Sequence, residues 1–106
     1  MRILFDQGTP VPLRRSLGPH EVATAFEMGW SNIENGQLLA VAEGKFDALV
    51  TTDQNLQYQQ NLQRRRLTIL VLPTTNWLEI GNHLAEVAAA INALKPGEYR
   101  ELRWTT

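Results

Sequence analysis

Cysteine does not occur among the 106 residues, so disulfides and thiolate metal centres are both excluded. That absence fits a reducing compartment. Histidine is nearly as scarce, and His20 and His83 lack the paired spacing of a metal site. No apolar run approaches the ~18 residues that a membrane-crossing helix needs, so no membrane partner is expected. Met1-Arg2 leads straight into an apolar segment without the pattern of a cleaved leader, and a cytoplasmic location is the expectation. Neither sign of charge dominates. With a net charge of −1, any contact with nucleic acid has to come from a local patch. Repeats, linkers and low-complexity segments are absent too, which leaves one domain, residues 1–106. Its 43% hydrophobic and 20% charged residues suit a folded core rather than a disordered chain.

What is present is a series of short apolar runs separated by helical patterns. Phe46 to Leu56, FDALVTTDQNL, is the central one. Ala48-Leu49-Val50-Thr51 is near-continuous and partly β-branched, which suits a strand covered on both faces, and it stops at Thr52-Asp53. Arg2-Ile3-Leu4-Phe5 repeats the design and ends in Asp6, ahead of the turn Gln7-Gly8-Thr9-Pro10. Strands are predicted at 2–5, 21–24, 47–51 and 67–72, all parallel, with an alternating edge strand over 98–104. The predicted helices are Pro10 to Leu17 capped by Thr9, Gln37 to Glu43 capped by Asn35, Gln54 to Arg66, and Trp77 to Leu94 capped by Asn76. Alternating strands and helices predict an α/β fold, a three-layer α/β/α sandwich with a mostly parallel central sheet.

In such sheets ligands sit beyond the carboxyl ends of the strands. Two parallel strands that each end in an aspartate would therefore bring Asp6 and Asp53 to one rim. Each has a simpler reading: Asp53 as the N-cap of the next helix, Asp6 as a turn residue bonded to its own backbone. Glu27, Glu34 and Glu43 are further acids, ordinarily solvated. Arg14 and Arg15, pointing away from the sheet, and the amides of Gln54 and Asn55 are the candidate substrate-binding groups, with an exposed polar face as the alternative. Arg64-Arg65-Arg66 reads as a helix end that complements the dipole.

ILFDQGTP, AEGKFDALVTTDQNL and LTILVL together resemble the short bacterial PIN-like domains, relatives of the VapC-type toxin ribonucleases. The resemblance is strongest over 1–72 and fades over 73–106. It implies a metal-dependent ribonuclease that hydrolyses RNA phosphodiester bonds, the toxin of a toxin–antitoxin pair. Asp6 and Asp53 would then hold Mg²⁺ or Mn²⁺, with Glu34 as a third catalytic acid. Hard divalent cations take carboxylate oxygens and waters, and such an ion activates water and offsets phosphate charge. The chain departs from the pattern where relatives carry an acid at the start of the helix before the central strand; here the residues are Asn35-Gly36-Gln37. That departure opens the alternative of a catalytically impaired PIN-like binding or interaction module. A receiver-like signalling domain is a third reading, but it would want an acid pair after the first strand and a lysine at the last strand end.

Residues 77–104 carry Trp77, Tyr99 and Trp104 on an amphipathic helix and an alternating strand. Grouped exposed aromatics would mark a homodimer or antitoxin interface. Folding back to complete the domain's own core is the alternative.

Overall fold

The computed structural model describes residues 1–56 and 66–104. Five strands form one sheet in the order β2-β1-β3-β4-β5: β1 Arg2–Phe5, β2 Glu21–Thr24, β3 Ala48–Thr51, β4 Thr68–Val71 and β5 Tyr99–Glu101. Every pairing is parallel, as the alternation of strand and helix patterns predicts. Ile3 lies opposite Ala48 and Phe5 opposite Val50, while Val50 lies opposite Leu70. The order reverses between β1 and β3, and that switch point is where an open α/β sheet forms its crevice.

Successive side chains leave a strand on opposite faces, so continuous apolar runs feed two cores. Ile3, Phe5, Val50 and Leu70 pack on one face with Leu13, Ile80, Val87 and Ile91. Leu4, Leu49, Ile69 and Val71 pack on the other with Leu38, Leu39, Ala42 and Phe46. Helices thus cover both faces, giving a mostly parallel sheet in an α/β/α arrangement. Fully burying each of these large side chains contributes about 1.5–3 kcal/mol, which is why the sheet is the rigid part that positions everything else. Among the described residues no helix is long and apolar enough to cross a membrane.

The helices depart from expectation for identifiable reasons. The segment after β1 is a 3-10 helix, Val11–Ser16, with Pro10 at the cap position and no side-chain cap, because the Thr9 hydroxyl is engaged elsewhere. Helix α1, Asn35–Glu43, starts two residues early and has Glu34 rather than Asn35 at its cap position. The long C-terminal helix breaks into α2, Trp77–Gly81, and α3, Leu84–Ala93. Gly81 and Asn82 are poor helix formers, and the chain uses them to turn. Asn76 caps α2 as predicted, its Oδ1 accepting from the amides of Leu78 at 2.9 Å and Glu79 at 3.3 Å. The helix predicted over 54–66 lies largely outside the described residues, as do Arg64 and Arg65.

The terminal strand is shorter than 98–104. After Glu101 the Leu102 amide still bonds to Val71, then Trp104 turns back onto the helices. Its ring stacks on His83 at 4.2 Å and 6°, and its Nε1 donates to Glu79 at 2.9 Å. Trp77, Leu102 and Trp104 pack against one core and Tyr99 against the other. All three aromatics are half-buried against the chain's own cores.

Candidate functional site

Asp6 directly follows β1 and Asp53 lies two residues beyond β3, its immediate neighbour in the sheet. Because Phe5 is opposite Val50, the next residue on β3, Thr51, falls beside Asp6. The buried Thr51 hydroxyl donates to Asp6 Oδ2 and accepts from the Asp53 amide at 3.1 Å. One hydroxyl therefore ties the two acidic positions together. Gly8 makes the approach feasible: a Cβ there would stand 2.6 Å from Thr52 Oγ1.

Thr9 Oγ1 lies 2.7 Å from Asp6 Oδ1 and 2.9 Å from the Val50 carbonyl oxygen. A hydroxyl has one hydrogen, so it cannot donate to both acceptors at once. A proton on Asp6 removes the conflict, since the acid can then donate to Thr9 while Thr9 donates to Val50. Burial also raises the Asp6 pKa above its ordinary value of 3.8, against the opposing effect of the hydrogen bonds from Thr51 and Thr9.

Asp53 is held differently. Its Oδ1 accepts from the Asn55 amide at 2.9 Å, the cap-like role open to it from the start. Its Oδ2 accepts from Asn35 Nδ2 at 2.7 Å. Asn35 opens α1, so the position where the resemblance calls for an acid is filled by an amide that donates to the neighbouring carboxylate.

The other predicted groups scatter. Glu34 is exposed and caps nothing. Glu27 is bonded by Arg14 at 2.8 and 3.3 Å, and that bond, aided by the Thr24 amide, holds its pKa below the ordinary value. Arg14 is thus engaged with an acid, while Arg15 is exposed. The Gln54 amide reaches back to the Leu72 carbonyl at the end of β4, and the Asn55 side chain is exposed. Glu43 sits at the opposite end of the sheet, accepting from the amides of Arg66 and Leu67.

Comparison with protein families, with curated proteins and with solved structures finds no match for the chain. Its functional reading therefore rests on the rim. Among the described residues no three His, Cys, Asp or Glu side chains are grouped to hold a metal ion, so Glu34 does not join Asp6 and Asp53 in a cluster. The rim thus holds two carboxylates, with the Asn35 amide beside Asp53 in the place where the resemblance calls for a third acid. The general shape, a small parallel α/β domain, is compatible with a PIN-like fold.

Thr51 and the Asn35–Asp53 contact escaped sequence reasoning. The threonine pair before Asp53 carries a signal for Thr51, because a strand-end threonine opposite an acid can serve it. Only the fold could bring Asn35 across from α1.

Proposed function

We propose that this chain is a PIN-like interaction module that keeps an acidic rim and acts by binding a protein partner rather than by cutting RNA. The observation that carries this reading is the Asn35 amide donating to Asp53 where a third acid would complete a metal-binding set. Surface character supports it. Val11, Phe26 and Leu78 are exposed, Phe26 by 77% and Leu78 by 79%, and each sits on the segment leaving the C-terminal end of a strand. Large apolar side chains left in water suit a protein contact, although Met1, at the opposite end of the sheet, is exposed as well. A rim carrying Asp6 and Asp53 on a chain of net charge −1 repels phosphate unless a cation intervenes.

A second reading has an observation of its own. Thr51 bridges the Asp6 side chain and the Asp53 backbone, which brings two acids to the switch point of the sheet. That supports a metal-dependent ribonuclease, the toxin of a toxin–antitoxin pair. Asp6 and Asp53 would hold Mg²⁺ or Mn²⁺, and Arg15, Gln54 and Asn55 would contact RNA. Incubation of a mixed RNA pool with the protein and Mn²⁺, beside Asp6→Asn, separates the two. An interaction module leaves the pool intact in both. Cleavage that Asp6→Asn abolishes overturns the module and establishes the nuclease.

A further inference from the structure

Asn35 is followed by Gly36, and of the seven asparagines in the chain it alone precedes a glycine. With no side chain on the next residue, the following peptide nitrogen is unshielded and its backbone unusually free to turn toward the asparagine amide. The fold leaves the Gly36 nitrogen unengaged. Asn35 and Gly36 are the first two residues of α1, where backbone N–H groups have no partner inside the helix, and Glu34 at the cap position makes no side-chain bond to them. Asn35 is only half-buried, so water reaches it.

We infer that Asn35 is a self-modification site, converted by deamidation into a carboxylate at this rim. The Gly36 nitrogen attacks Asn35 Cγ and forms a five-membered succinimide; the Cγ–Nδ2 bond breaks, and ammonia leaves with the proton that the Gly36 nitrogen gives up. Water then opens the ring at either carbonyl, giving aspartate or isoaspartate. No other reactant is needed. Both products add one negative charge, taking the net charge from −1 to −2. The amide that donates to Asp53 at 2.7 Å is replaced by a carboxylate that cannot donate when ionised. Conversion changes the rim from two acids and an amide to three acids. This inference goes beyond the interaction-module reading and stands or falls separately, since it depends on the dipeptide and its place in α1.

The test is incubation of the purified full chain at mildly alkaline pH, followed by digestion and fragment mass spectrometry. The expected result is an amide-to-acid mass gain located at residue 35 and resolved into two isomers, with the other six asparagines unchanged. Gly36→Ala should lose the conversion over the same period. Asn35→Gln, whose longer side chain would need a six-membered ring, should lose the acidic shift in isoelectric focusing. An intact Asn35 while other asparagines convert, or unchanged conversion in Gly36→Ala, overturns the inference. So does an acidic shift that persists in Asn35→Gln.

Discussion

At the N-terminal edge of the sheet, Asp47 accepts from the Arg2 amide at 2.8 Å and Glu43 accepts from the amides of Arg66 and Leu67. At the C-terminal edge, Asp6 accepts from the Thr51 hydroxyl and is bonded to the Thr9 hydroxyl, and Asp53 shares itself between the Asn55 amide and the Asn35 side chain. The first edge uses acids to satisfy backbone groups that any strand or helix end leaves open. A cavity of about 540 Å³ opens there, lined by Glu43, Asp47 and Arg66 among others, yet the two carboxylates already serve the backbone. The second edge adds side-chain partners, Thr51, Thr9 and Asn35, to the backbone amides that its acids also accept from.

Substitutions at the two edges should therefore behave differently. The largest effect is expected from Thr51→Val, which keeps the shape of a buried side chain but removes the hydroxyl shared by Asp6 and the Asp53 amide. Leaving such groups unmatched costs about 1–3 kcal/mol, and urea unfolding measures it. A loss much below that range would mean that the two positions are not coupled through Thr51.

Asp6→Asn should act in the opposite direction. An asparagine can donate to Thr9 and accept from Thr51, as the protonated acid does. Since the pKa of Asp6 is raised, the native state holds its proton more tightly than the unfolded chain. Wild-type stability should fall as pH rises from 3.8 through the raised value. Thermal melts at neutral pH should then show the variant more stable than wild type, with the difference shrinking as pH drops below that window. A variant less stable at neutral pH would show that the ionised carboxylate is well accommodated.

The smallest effect is expected at the other edge. Asp47→Asn retains an oxygen for the Arg2 amide on an exposed side chain, so its stability should stay within about 0.5 kcal/mol of wild type in the same urea experiment. A larger change would mean that charge, and not only an acceptor, is needed there, which would blur the distinction between the edges.

The centre of the sheet was legible because β1, β3 and β4 are apolar runs, and Leu67 to Leu72 or Ala48 to Thr51 admits little else. Placing Asp6 and Asp53 at strand ends followed from the same pattern. Helix boundaries were less legible because side chains with two possible uses took the tertiary one. Thr9 left the cap of its helix for Asp6 and Val50, and Asn35 left its cap for Asp53. The break between α2 and α3 was visible in Gly81-Asn82 but was outweighed by the apolar stripe running through it. Trp104 stayed open between a partner contact and the chain's own core because nothing local shows that His83 and Glu79 lie beneath it.

The most direct measurement is a calorimetric titration with Mn²⁺ of wild-type protein, checked by mass for an intact amide at residue 35, beside Asn35→Asp. If the Asn35 amide is what leaves this rim short of a metal-binding set, the wild type should give no saturable heat, and Asn35→Asp should give saturable binding that a further Asp53→Asn change removes. Saturable binding by the wild type, lost in Asp53→Asn, would contradict it and return Asp6 and Asp53 to the role of metal ligands.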